Sequence, residues 1–155
     1  MLEGLSAFFA SLGFAILFNI RKRKLLIAGI VGAVGGVTYH LLLKFGHSTF
    51  LALFVASVII SLLSEVCARY FKAPATTFLV CALIPLVPGG GMYYTMLEIV
   101  RSNIDGALIM GMNTIMQAAA IVLGVTLISS SIKMYYKFLI WYYYHDYKGE
   151  SENEY

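Results

Sequence analysis

Runs of about twenty apolar residues, divided by short turns that carry most of the charge, constrain this chain more than any other feature of its sequence. A membrane-spanning helix needs about 20 mostly apolar residues. Lipid offers no hydrogen bonds, so a backbone in it must satisfy its own groups as a helix or a closed barrel. Runs of this length suit helices. The first reads as Leu2 to Ile20, the second as Leu25 to Leu43 and the third as Thr49 to about Val66. With 60% hydrophobic and only 12% charged residues, against about half and a quarter in soluble domains, the chain reads as one bundle in lipid with no soluble domain left over.

Pro74 to Val100 is too long for one straight crossing, at about 40 Å of helix for about 30 Å of hydrocarbon. It also contains Pro85, Pro88 and the run Gly89, Gly90, Gly91, which interrupt or loosen helical hydrogen bonding. It is therefore expected to be a broken fourth span, with halves Pro74–Leu86 and Met92–Val100 around a break centred on Val87–Gly91 (Pro85–Gly91 with its first proline). A fifth span follows from Ala107 to about Ile132. Residues 133–148, rich in tyrosine around Trp141, read as an interfacial helix because amphipathic rings favour the headgroup level. Residues 149–155 form an acidic tail. The fold class expected is all-α, a polytopic bundle of five spans in residues 1–132.

Five spans put Arg21, Lys22, Arg23, Lys24, Arg69, Lys72, Lys133, Lys137 and Lys148 on one side and only Lys44 and Arg101 on the other. That bias predicts a cytoplasmic C-terminus and an N-terminus outside. The N-terminal side of the first stretch carries Glu3 and no basic residue, and the tetrabasic turn follows it, the reverse of a signal peptide's charge order, so it reads as a retained helix. The net charge of +3 reflects loop placement in such a protein and does not point to nucleic acid.

Cys67 and Cys81 lie fourteen positions apart without paired histidines, which supports neither a metal site nor a disulfide framework. No cofactor is implied. Catalysis lacks paired carboxylates in one pocket and a Ser/His/Asp set, and Glu98 and Asp105 read as solvated flanks of an outer loop. Small residues mark helix contacts in lipid: Gly32 and Gly36 on the second span, Ser57 and Ser61 on the third. Glu65 and Arg69, four apart, have the favourable order for a helical ion pair or could serve gating or proton coupling. Asn113 and Gln117, one turn apart in the fifth span, could hydrogen-bond a neighbouring helix or line a polar path. A glycine-rich break that starts a new helix presents free N–H groups and a positive dipole end, suited to a carboxylate.

The tetrabasic turn before a glycine-rich span, the segment Arg69 to Thr77, and Pro85-Leu86-Val87-Pro88-Gly89-Gly90 followed by Tyr93-Tyr94 together resemble the small five-span subunit of the threonine/serine exporter family. That subunit is similar to the C-terminal half of larger single-chain exporters. The resemblance extends to about Ile132 and does not include the aromatic segment. It implies a bacterial inner-membrane exporter of small carboxylate-bearing metabolites, threonine and serine or a dicarboxylate such as succinate, coupled to protons. It also implies a larger membrane subunit as partner, and a homo-oligomer is an alternative. Pro85, Pro88, Gly89, Gly90, Tyr93 and Tyr94 match the family motif and become, with Gly91, the first choices for the transport path. The competing reading is a structural or assembly subunit that never touches substrate.

Overall fold

The computed structural model describes the backbone of residues 2–21 and 23–152, with side chains from Glu3 to Phe138 except Lys22, together with Trp141. The remaining side chains of the aromatic segment, among them Tyr142, Tyr143, Tyr144 and Lys148, and the tail residues 153–155 lie outside the described residues. Every described element is helical: α1 (Leu2–Leu17), α2 (Arg23–Lys44), α3 (Thr49–Tyr70), α4 (Ala75–Leu83) with a 3₁₀ turn (Ile84–Leu86), α5 (Gly89–Val100) and α6 (Ile104–Glu152).

Helices α2, α3 and α6 are long and apolar enough to cross a membrane, and residues 75–86 with α5 make a fourth crossing if this pair, bent by 47°, is one span. The expected first span is shorter than its apolar run: α1 has 16 residues, about 24 Å against a hydrocarbon core of about 30 Å. It stops at Leu17 because Asn19 turns left-handed, with φ 57°, while its N–H donates to the Ile16 carbonyl and that of Ile20 to Ala15. This is the Schellman arrangement, in which the last turn's orphan carbonyls are satisfied by the chain that leaves it. The same pair of bonds ends α2 at Gly46, α3 at Lys72 and α5 at Ser102. Only one of the four left-handed positions is a glycine, so most of these stops carry no glycine signal in the sequence.

The last helix departs from expectation in the other direction. With no proline after Pro88, α6 runs unbroken for 49 residues, so the aromatic segment continues the helix that carries the fifth apolar run.

α2 and α3 form the centre of the bundle. α1 lies on α2, α4 packs against both α2 and α3, α6 packs on α3, and α5 packs chiefly on α6. The main core joins Val31, Leu53, Ala56, Ile60, Ala82, Leu86, Ala120 and Ile121, and a second cluster near the basic turns gathers Ala15, Ala28, Ala68, Phe78 and Cys81. Alanine dominates because lipid-embedded helices associate by close approach. A side chain added at Gly32 would run into Ser11 of α1, one at Gly36 would come within 2.5 Å of Ala7 Cβ, and one at Gly35 would meet Ile60. Across the bundle, Gly124 of α6 abuts Ser57 and lies so near α3 that an added Cβ would be 2.9 Å from the Phe54 carbonyl oxygen. Ser57 itself donates to that carbonyl at 2.8 Å. Ser61 is buried beside it, and its hydroxyl has no partner among the described residues.

These contacts distinguish two kinds of glycine. Gly32→Ala should lower stability by about 1–3 kcal/mol through overpacking, and Ser11→Gly should recover part of the loss because the obstacle is a side chain. Gly124→Ala should cost a similar amount but gain little from Ser57→Gly, since backbone remains in the way. Thermal unfolding of the four variants in detergent checks this.

Candidate functional site

The break in the fourth helix follows from its two prolines. A proline inside a helix removes one hydrogen bond and its ring clashes with the preceding turn, and at Pro85 α4 tightens into the 3₁₀ turn Ile84–Leu86. The residue before a proline is driven to extended geometry, and Val87 adopts φ −60° and ψ 131°. Pro88, with φ −74° and ψ 57°, is the centre of an inverse γ-turn, closed by the Gly89 N–H donating to the Val87 carbonyl at 2.7 Å. The non-helical stretch is therefore only Val87 and Pro88. This corrects the wider break expected from the sequence: Gly89, Gly90 and Gly91 are helical and form the first turn of α5.

That turn leaves backbone donors unpaired. The Met92 N–H donates to the Pro88 carbonyl at 3.2 Å, which leaves the Gly90 and Gly91 amides without an acceptor among the described residues, as expected for the first turn of a helix. About 18 Å of helix lies on either side of the turn, which puts it near the middle of the crossing if the bent pair is one span. A side chain added at Gly89 or Gly90 would meet nothing within 4 Å, whereas one at Gly91 would strike Thr114 of α6. Thr114 is buried and its hydroxyl donates to the Met110 carbonyl at 2.8 Å. Thr95, one turn beyond Gly91, donates in the same way to the Gly91 carbonyl at 2.7 Å. Gly91 thus seats α5 on α6, while Gly89 and Gly90 face open space.

Tyr93 and Tyr94 stack edge to face, with centroids 5.3 Å apart, and are 62% and 53% exposed. None of the α5 residues is buried. Pro85 and Pro88 are half-buried; Asn113 is exposed and Gln117 half-buried. The α6 residue that meets the break is Thr114, next to the amide that the sequence singles out. Its signal was available in the stripe Ala107, Gly111, Thr114, small residues spaced four and three apart on the face toward α5.

At the basic end, the Arg69 guanidinium lies 4.0 Å from Glu65 and stacks over the Tyr136 ring at 4.8 Å. The cation ties α3 to the extension of α6, a contact that no local spacing announces. It is separate from the break. At the other end Glu98 is not solvated as expected: its carboxylate is 15% exposed beside Arg101 at 3.3 Å and accepts from the Asn103 side chain at 2.7 Å. Asn103 in turn caps α6, its side-chain oxygen accepting from the Gly106 N–H at 3.2 Å.

These features define a polytopic helical membrane protein with a proline-broken helix whose second half begins on two exposed glycines. Residues 3–131 match the family model described as threonine/serine exporter, ThrE, and the chain belongs to that family, which is one of transporters rather than enzymes. An uncharacterized protein of Haemophilus influenzae is 33% identical over 91 residues, 59% of this chain and 31% of that protein. The matched part thus spans about a third of the length of this relative. No solved structure matches.

The two roles within the glycine run can be separated by stability alone. Gly91→Val should lower the unfolding midpoint in detergent, by the equivalent of about 1–3 kcal/mol, while Gly89→Val and Gly90→Val should leave it within the small range of surface changes, about 0.5 kcal/mol.

Proposed function

We propose that this chain is the membrane subunit of a two-component exporter that moves threonine and serine, or a dicarboxylate such as succinate, outward across the bacterial inner membrane. The first turn of α5 receives the substrate carboxylate on the Gly90 and Gly91 amides. The larger membrane subunit of the same family closes the open side; a second copy of this chain is the other candidate. The chain crosses five times, with short α1 as the fifth crossing, from an outer N-terminus to a cytoplasmic C-terminus. Transport is driven by protons, and the Glu65–Arg69 pair at the basic end serves as the gate.

One observation carries this reading: at the bend between two helices that together are long enough for one crossing, the Gly90 and Gly91 amides have no acceptor among the described residues, and Gly89 and Gly90 border open space. Such backbone is costly in lipid unless a protein wall or an aqueous path receives it, and half-helix N-termini are where transporters bind anionic groups. The family membership supports an exporter, and the greater length of the matched relative is in keeping with a partner that supplies further spans.

The competing reading, an assembly subunit without substrate contact, draws on the exposed Asn113, an amide that could bind a partner helix. Efflux decides between them. Cells lacking native exporters are loaded with labelled threonine or labelled succinate and express this chain, a larger family subunit, or both. Efflux is expected only with both, and Gly90→Val should reduce it at least tenfold while the protein stays in the membrane at the normal level. Undiminished efflux with Gly90→Val would favour the assembly role, and efflux from this chain alone would replace the larger subunit with a second copy.

A further inference from the structure

Between the end of α1 and the start of α4, at the basic end of the bundle, is an open groove of about 540 Å³ lined by Asn19, Arg21, Lys24, Ala73 and Thr77 together with apolar side chains. Its volume falls within the range of small-molecule sites. The left-handed turn at Asn19 that ends α1 also brings the Asn19 side-chain oxygen to accept from Arg21 Nε at 3.1 Å, which fixes the guanidinium at the cavity. Neither Arg21 nor Lys24 meets a carboxylate among the described residues. Two cations therefore share the groove without a counter-charge among the described residues. The start of α4 adds to the same field, because Pro74 supplies no side-chain cap and the positive end of the helix faces this region.

A second cavity of about 250 Å³ adjoins the first, sharing Phe18, Ile20 and Thr77 and continuing to Val80 and Cys81. Val80 and Cys81 lie about one turn further along α4, so this slot runs from the basic mouth toward the membrane interior, and its lining is predominantly apolar. A polar, cationic mouth opening into an apolar slot matches an amphiphile with an anionic head and a hydrocarbon chain.

We propose that this composite cavity binds an anionic phospholipid, with its phosphate between Arg21 and Lys24 and an acyl chain in the slot beside Val80. Basic pockets between membrane helices suit phosphate-bearing headgroups. A free phosphate ion would leave the slot unused. A zwitterionic headgroup would place its own cation beside two cations that meet no carboxylate among the described residues. Bound in this way, the lipid bridges α1 and α4 at the turn where the short first helix ends.

The test is lipid binding to the purified full-length chain in neutral detergent, followed by native mass spectrometry. Phosphatidylglycerol should bind about tenfold or more tightly than phosphatidylcholine. The double variant Arg21→Gln/Lys24→Gln should abolish that preference, and Lys133→Gln/Lys137→Gln, which removes the same charge from α6 outside the cavity, should retain it. Equal binding of the two lipids by the native chain would overturn the proposal, and so would a preference that survives in Arg21→Gln/Lys24→Gln. Inorganic phosphate or glycerol 3-phosphate competing as strongly as the lipid would show a free-anion site and overturn the lipid assignment. The native-chain comparisons decide the question even if the double variant does not fold.

Discussion

The bundle depends on glycines that let neighbouring helices approach closely, three of them against a hydroxyl-bearing side chain. Helices in lipid gain little from burying apolar surface against one another, so they must approach closely enough for dispersion and polar contact to hold them. Gly32 against Ser11 joins α1 to α2, Gly124 against Ser57 joins α6 to α3, and Gly91 against Thr114 joins α5 to α6. Ser57 and Thr114 return their hydroxyl protons to their own helices, so they fill the space beside a glycine without leaving a donor unsatisfied. The core between these contacts is built largely from alanine.

The packing explains why α5 differs from the rest. α2, α3 and α4 cover one another, whereas α5 has one substantial neighbour and no buried residue. Its attachment by Gly91 leaves the preceding two glycines facing outward. The prolines that bend the crossing, the glycines that strip its first turn of side chains and the single-sided packing of α5 all have the same effect. They expose a polar strip of backbone that lipid alone would not satisfy.

Much of this was legible in the sequence. The central helices follow their apolar runs to within a few residues, Leu25–Leu43 becoming Arg23–Lys44 and Thr49–Val66 extending to Tyr70, because length and hydropathy suffice in a bundle of this kind. The break was legible from Pro85 and Pro88, but its width was not, since a glycine run fits a loop or a helix's first turn equally well. The short α1 was hidden because Asn19, rather than a glycine, takes the left-handed position. Asn113 is conspicuous for its amide polarity, whereas Thr114 is marked only by a stripe of small residues. The Arg69–Tyr136 contact joins helices whose pairing only the tertiary structure reveals.

We propose that another protein chain closes the open side of the break. This proposal is tested most directly by placing a photoreactive side chain at position 90, where there is room for one, or at position 113, and irradiating membranes of cells that co-express this chain and a larger family subunit. The expected result is a covalent adduct with the larger family subunit, or with a second copy of this chain, that disappears when the probe is moved to Leu62 on α3. Adducts with lipid alone at both positions, in membranes where the larger subunit is present, would contradict it.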